Sequence, residues 1–152
     1  MNMKKIQVYL TLILLLCYSM SSLGQDDYVE LTEKEKELFV QQDDPDEEVG
    51  ETDLEYDIII MDIGFNRWLN QIAQPKGYYS QSFLEQRNYF YVLEWNRRVL
   101  EPRVFDPLLY ELQINYEHGI DYGYDVNYQL YNYFIYFQRR FNQRLGPFLP
   151  RI

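Results

Sequence analysis

The stretch VNYQLYNYFIYFQRRFNQRLG, residues 126–146, decides the fold because it predicts a long buried helix. Large apolar side chains recur at helical spacing in one stripe, formed by Leu130, Phe134, Phe137, Phe141 and Leu145. A second stripe beside it makes the first half apolar nearly all round, through Tyr128, Tyr131 and Ile135. We therefore expect a helix near 126–145, with Asp125 as its cap, that is covered on most sides.

An earlier segment shows the same helical periodicity. Ser82 is followed by Glu85 at the spacing of a capping box, and Pro102 ends the pattern. Between them, one apolar face is formed by Leu84, Asn88, Tyr91, Trp95 and Val99. These residues predict a helix near 83–100.

Two other segments favour strands. Residues 56–63 are apolar on both faces of an extended chain, which predicts a central strand covered on both sides. Residues 108–116 alternate between large apolar and mostly polar side chains, which predicts a second, half-exposed strand. Helices packed on a short sheet would give a small α+β domain over residues 55–152.

The N-terminus has the pattern of an export signal. Lys4 and Lys5 precede the apolar run Ile6–Tyr18, and the small residues Ser22 and Gly24 stand at the third and first positions before Gln25. We expect residues 1–24 to be a signal peptide that is cleaved before Gln25. The protein is then exported, to the periplasm or to the outer membrane.

Two alternatives to cleavage are less favoured. An uncleaved anchor needs roughly 20 apolar residues, and the serines from Ser19 onward end the run before that. A lipoprotein would be acylated at Cys17, but Leu16 stands where such signals have a small residue. Cys17 is the one cysteine of the chain, so cleavage after Gly24 leaves no thiol and no disulfide.

Residues 25–54 form an acidic arm that accounts for the net charge of −10. Lys34 and Lys36 are the only basic residues among its many carboxylates, and a segment of this composition is expected to be mostly solvated. A short helix is predicted near 32–42, because Thr32 and Glu35 can form a capping box. Leu38 and Phe39 would give that helix a small apolar face.

The arm also carries weak candidates for calcium binding. Acidic side chains fall at the spacing of a calcium loop at Asp44, Asp46, Glu48 and Glu55. Val49 stands where the loop needs Gly for its sharp turn, so a solvated linker is the favoured interpretation. A calcium-dependent adaptor stays open as the third functional hypothesis.

The composition excludes most catalytic chemistry. With one His and no mature Cys, the chain offers no Cys–His pair and no His–Cys cluster for zinc. His118 falls in a turn beside Gly119, where a solvent-exposed or hydrogen-bonding role is expected. Aromatic residues surround four carboxylates that could serve a glycosidase, namely Glu94, Glu117, Asp121 and Asp125. We expect no enzyme and no cofactor, and the acidic arm disfavours nucleic acid.

The aromatic content is the positive indication of a partner. The chain has 16 Tyr and 9 Phe, and mixtures of Tyr and Arg are enriched in protein interfaces. Core packing explains most of them, and the exposed remainder predicts a contact surface among Tyr78, Tyr79, Trp95, Tyr122 and Tyr124. The expected partner is an envelope protein, which could also supply membrane association. A glycan is the alternative ligand.

Several short motifs resemble a family of small exported proteins of unknown function from Bacteroidota. They are the run Glu55–Ile58 continuing to Trp68–Leu69, Tyr79–Ser82, Glu94–Asn96, and Ile120–Gly123 continuing to Tyr131. The resemblance covers the chain from Glu55 onward and leaves the acidic arm outside. It implies the envelope of a bacterium with an outer membrane, where some relatives look lipid-anchored, and it transfers no catalytic residue.

Overall fold

A computed structural model of the chain describes residues 29–41 and 63–152, and the regular structure in these ranges is helical. It comprises α1 (Glu33–Gln41), α2 (Ile63–Gln71), α3 (Gln81–Val99) and α4 (Gly123–Arg140). No strand occurs among these residues, so the expected α+β class is wrong for the described part of the chain. Of the strand expected near 56–63, only Ile63 is described, and it begins α2.

The helix predicted near 83–100 is confirmed as α3, with a different cap. Ser80 is the N-cap, and its Oγ accepts a hydrogen bond from the Phe83 N–H at 3.3 Å, whereas Ser82 lies inside the helix. The expected apolar face is buried at Leu84, Asn88, Tyr91 and Trp95. The face thus follows the 3.6-residue period, while the cap was misplaced by one half-turn.

The helix predicted near 126–145 is confirmed as α4, but it begins and ends earlier. Its N-cap is Tyr122, which makes no side-chain capping bond. Asp125 instead pairs with Lys76, at 2.6 Å between Oδ1 and Nζ. Beyond the last turn, the Leu145 N–H donates to Gln138 Oε1 at 2.7 Å, which keeps Leu145 buried although the helix has ended.

Helices α3 and α4 run side by side in the same direction and form the centre of the fold. In the first half of each helix, Asn88 Nδ2 of α3 donates to Asn127 O of α4 at 3.0 Å. In the second half of each helix, the rings of Trp95 and Phe137 lie 4.8 Å apart. A parallel pair requires a connection that returns along the whole length of a helix. Residues 100–122 form that connection.

The connection holds turns and irregular backbone where a strand was expected at 108–116, so that prediction is wrong. The Tyr110 N–H donates back to Asp106 O at 3.2 Å, which begins the segment with a turn. Further along, the Asn96 side chain donates to Ile114 O at 2.9 Å and accepts from Ile114 N–H at 2.8 Å. The side-chain amide of α3 therefore provides the two hydrogen bonds that a neighbouring strand would have provided.

Helix α1 lies in the acidic arm and packs into the core. The capping box is present, with the Glu35 N–H donating to Thr32 Oγ1 at 3.2 Å and the Thr32 N–H donating to Glu35 Oε2 at 2.9 Å. Leu38 and Phe39 are buried, so the predicted short helix and its apolar face are confirmed. Part of the arm thus belongs to the folded body.

A buried ion pair fixes α1 to α4. The Arg139 guanidinium donates through Nε and Nη2 to the fully buried Glu35 carboxylate, which also accepts from Trp68 Nε1 at 3.1 Å. Arg139 Nη1 donates to Pro150 O at 3.0 Å. Burial raises the pKa of Glu35, but the hydrogen bonds from Arg139, Thr32 and Trp68 outweigh it, and the pKa is lowered. The carboxylate is therefore charged at neutral pH.

The export signal expected at residues 1–24 lies outside the described residues. In the ranges that are described, none of the helices has both the length and the apolarity that crossing a bilayer requires.

Candidate functional site

Three of the five residues predicted to form the contact surface lie together beside the start of α3. The Gly77 N–H donates to the Tyr124 hydroxyl at 2.6 Å, and that hydroxyl donates to Tyr79 O at 3.2 Å. The Tyr78 and Tyr79 rings meet edge to face at 4.7 Å. Tyr78 is 62% exposed, whereas Tyr79 and Tyr124 are half-buried. Tyr78 is therefore the member of this group with the most surface for a contact.

Trp95, the fourth candidate, is only 6% exposed and belongs to the core. Its ring centroid lies 5.0 Å from that of Tyr110, and its indole N–H donates to Leu112 O at 2.9 Å. A partner could not reach it without opening the connection between α3 and α4.

Tyr122, the fifth candidate, is half-buried at the end of the connection. Its ring stacks on Tyr116 at 4.8 Å, and its hydroxyl accepts a hydrogen bond from the Glu117 N–H at 3.0 Å. These contacts give Tyr122 a role in closing the loop before α4.

Three of the four carboxylates considered for glycoside hydrolysis, Glu94, Asp121 and Asp125, are each engaged by neighbouring donors. Glu94 accepts hydrogen bonds from Arg97 and Arg98, and these arginines hold its pKa below the usual range despite partial burial. A general acid needs a raised pKa instead. Asp125 pairs with Lys76, and Asp121 Oδ1 accepts from the Gly123 N–H at 2.9 Å.

The calcium candidates Asp44, Asp46 and Glu48 lie outside the described residues, as does Glu55. Within 29–41 and 63–152, no three His, Cys, Asp or Glu side chains come together as metal ligands would.

A groove of about 920 Å³ lies between the first half of α3 and residues 116–121 of the connection. We call it the α3 groove, and its aromatic wall is formed by Tyr89, Phe90, Tyr116 and His118. The Tyr89 and His118 rings lie 4.9 Å apart, and Phe90 is exposed. His118 thus faces a groove as well as forming part of a turn.

The polar side of the α3 groove is organised by Gln81. Its Nε2 donates to Glu85 Oε1 at 2.8 Å and to Asp121 Oδ1 at 2.7 Å, across the two walls. Aromatic faces beside fixed amide and carboxylate groups can bind a ligand that has both apolar faces and hydroxyl groups. The sequence placed Asp121 near aromatic residues, but Gln81 and Glu85 come from a distant segment.

Four aliphatic residues of the connection are exposed to solvent. Leu100, Val104, Leu108 and Leu112 are between 69% and 80% exposed, and we call them the aliphatic segment. They recur at every fourth residue, a period that was visible in the sequence. Pro102 and Pro107 interrupt it, so no continuous helix could bury the stripe.

The backbone beneath the aliphatic segment is held by internal contacts. Val104 N–H and Phe105 N–H both donate to Glu101 O, at 2.9 and 3.0 Å. The Arg97 and Arg98 guanidinium groups each lie 4.8 Å from the centre of the Phe105 ring. The backbone around Val104 is therefore held by a turn and by the packing of Phe105 against the two arginines of α3.

The chain belongs to the family of unknown function DUF6146, which matches residues 10–148. The match includes the acidic arm, which the sequence motifs had left outside the resemblance. No curated protein matches the chain, and no solved structure does.

Proposed function

We propose that this member of DUF6146 is a non-catalytic binding module that contacts a cell-envelope protein through the aliphatic segment. The observation that carries the proposal is the exposure of Leu100, Val104, Leu108 and Leu112 on a fixed backbone. Isolated exposed aliphatic residues are ordinary, but a run of them in one connection indicates a surface that another protein covers.

The envelope setting of this proposal rests on the N-terminal sequence. Lys4, Lys5 and the apolar run Ile6–Tyr18 support export, and the motif resemblance supports a bacterium of the Bacteroidota. The protein then works in the periplasm or at the outer membrane, where its partner supplies any membrane contact. Mass spectrometry of the protein from its native cells should give Gln25 as the first residue. A retained Met1 or an acylated Cys17 would contradict cleavage after Gly24.

Site-specific photo-crosslinking in native cells tests the contact surface. A photoreactive residue at position 108 should give one discrete adduct, because Leu108 is the most exposed member of the segment at 80%. Placed at position 40, the same residue is the matched control, since Val40 is 76% exposed but lies on α1. Leu112→Glu should suppress the adduct from position 108. Absence of that adduct, or the same pattern from both positions, would contradict the proposal.

A glycan bound in the α3 groove is the second candidate, and the combination of Tyr89, Phe90 and Gln81 in one open groove favours it. An array of envelope polysaccharides should then retain the protein, and Tyr89→Ala should abolish retention because a stacking face is lost. Tyr78→Ala is the control, since Tyr78 is exposed but does not line the groove. Equal retention of both variants would exclude the groove as the binding site.

A further inference from the structure

A second cavity, of about 430 Å³, adjoins the α3 groove at Phe83, which lines both. Helices α3 and α4 and residues 147–151 line it. We call it the arginine pocket and define it by Tyr79, Phe83, Arg87, Tyr131, Phe148 and Arg151. The exposed residues Pro147 and Arg151 lie at its mouth. The volume is within the usual range for a small-molecule site.

Arg87 is the charged group inside the pocket. Its guanidinium carbon lies 3.4 Å from the centre of the Phe148 ring and 5.1 Å from that of Phe83. Its Nη1 is buried and has no hydrogen-bond partner among the described residues. Stacking on aromatic faces stabilises the positive charge, but it does not satisfy the N–H groups of the guanidinium.

A buried, unpaired arginine nitrogen is unusual in a folded protein. Buried polar groups nearly always have a partner, and a guanidinium presents a rigid fork of donors that matches a carboxylate. Elsewhere in this protein Arg98 and Arg139 both pair with carboxylates. Arg87 therefore differs from Arg98 and Arg139, because its buried Nη1 has no acceptor among the described residues.

Three tyrosines, Tyr79, Tyr91 and Tyr131, also line the pocket. The rings of Tyr79 and Tyr131 meet edge to face at 5.3 Å, and the Tyr91 ring lies 6.4 Å from that of Tyr131. Burial raises the pKa of Tyr131 strongly, although the charge of Arg87 lowers it slightly. The phenol therefore keeps its proton at neutral pH and can donate a hydrogen bond.

The charges around the pocket select the sign of a ligand. Arg87 and Arg151 both line it, and none of the described residues that line it is Asp or Glu. This positive pocket occurs in a chain whose net charge is −10. An anion is attracted locally, and the aromatic walls at Phe83 and Tyr79, whose rings stack at 4.7 Å, favour an apolar body attached to it.

We propose that the arginine pocket binds a small organic carboxylate with an apolar body. The carboxylate pairs with the Arg87 guanidinium where that group lines the pocket, and the apolar body lies against the aromatic wall of Phe83, Tyr79 and Tyr131. Arg151 at the mouth adds a second positive charge that helps the anion to enter. Phe83 lines both this pocket and the α3 groove, and the pocket shares no other lining residue with the groove and none with the aliphatic segment.

Fluorine NMR of the purified protein tests the proposal with defined probes. The probes are 4-fluorobenzoate, 4-fluorophenylacetate and 3-(4-fluorophenyl)propanoate, whose carboxylates stand at three distances from the ring. At least one should broaden and shift on addition of protein, and its primary amide should bind about tenfold more weakly, because the charged pair with Arg87 is lost. Failure of all three acids to bind, or equal binding of acid and amide, would overturn the proposal.

Variants locate the binding. Arg87→Met should weaken it about tenfold or more, whereas Arg103→Met, which removes an exposed arginine outside the pocket, should leave it unchanged. If circular dichroism shows that Arg87→Met does not fold, Arg151→Met and Tyr79→Ala replace it; the first removes the charge at the mouth, the second removes part of the aromatic wall, and each should weaken binding. Equal binding by the folded pocket variants and by Arg103→Met would overturn the assignment.

A peptide ending in Phe distinguishes the source of the carboxylate. Tighter binding of the free-acid peptide than of the small acids supports the same carboxylate chemistry delivered by a chain end. Binding of the small acids alone supports a free organic acid.

Discussion

Two ion-paired regions of this protein differ in burial, and that difference determines how much each contributes to the free energy of unfolding. The Glu35–Arg139 pair is fully enclosed and joins α1, α2, α4 and the C-terminal segment. The pairs of Glu94 with Arg97 and Arg98 lie along one helix and remain partly in solvent. Enclosed charges depend on each other because neither can return to water, whereas solvent compensates for the loss of an exposed partner.

The largest predicted effect comes from removing Glu35. Glu35→Ala leaves the Arg139 guanidinium buried without its carboxylate, and it should lower the free energy of unfolding by about 3–5 kcal/mol. Urea unfolding followed by circular dichroism measures this change. Glu33→Ala removes an exposed carboxylate from the same helix and should change the midpoint little. Equal midpoints for the two variants would show that the buried pair contributes no special stability.

Acid should weaken the Glu35–Arg139 pair, and it should lower the free energy of unfolding by less than Glu35→Ala does. The pKa of Glu35 is lowered in the folded protein, so its contribution is complete above the ordinary value of 4.5. It is lost as the pH falls from there through the lower pKa of the folded state. Unfolding of the wild type should therefore depend more steeply on pH below 4.5 than that of Glu35→Gln. Parallel pH profiles would contradict this assignment, and Glu94, which is present in both proteins, cancels in the difference.

The next effect is on the connection between the long helices. Asn96→Ala leaves the N–H and C=O of Ile114 without their partners, and it should cost about 2 kcal/mol. Limited proteolysis should then cut within residues 100–122 faster than in the wild type. Asn70→Ala, an exposed site on α2, is the matched control. An unchanged cleavage rate for Asn96→Ala would show that the amide bridge does not hold the connection.

Helices α3 and α4 could be predicted from sequence because the periodicity that indicates each helix lies within its own segment. Leu84, Tyr91 and Trp95 repeat at the helical period, and the same holds for Leu130, Phe134 and Phe137. The false strand at 108–116 shows where local evidence fails. Its alternation was real, but strand pairing depends on a neighbouring chain, and here the side chains of Asn96 and Trp95 bind the backbone instead.

The candidate sites were predictable to a smaller extent. The contact surface of five aromatic residues was inferred from composition, which cannot separate the enclosed Trp95 from the exposed Tyr78. The arginine pocket joins Arg87 to Phe148, and the α3 groove joins Gln81 to Asp121, so both depend on tertiary contacts. The aliphatic segment was different, because its four-residue period and its prolines could have been combined to predict exposed aliphatic residues.

The smallest predicted effect is at the partly exposed pair, and it completes the comparison. Glu94→Ala should lower the free energy of unfolding by at most about 1 kcal/mol, because Arg97 already has Glu101 as a second partner and solvent screens the rest. High salt should reduce this effect further, while the cost of Glu35→Ala should change little because mobile ions do not reach an enclosed pair. Urea unfolding of both variants at low and high sodium chloride measures the contrast. An equal salt dependence for the two would mean that solvent screens the Glu35–Arg139 pair as it does Glu94, and the distinction between an enclosed and an exposed region would then fail.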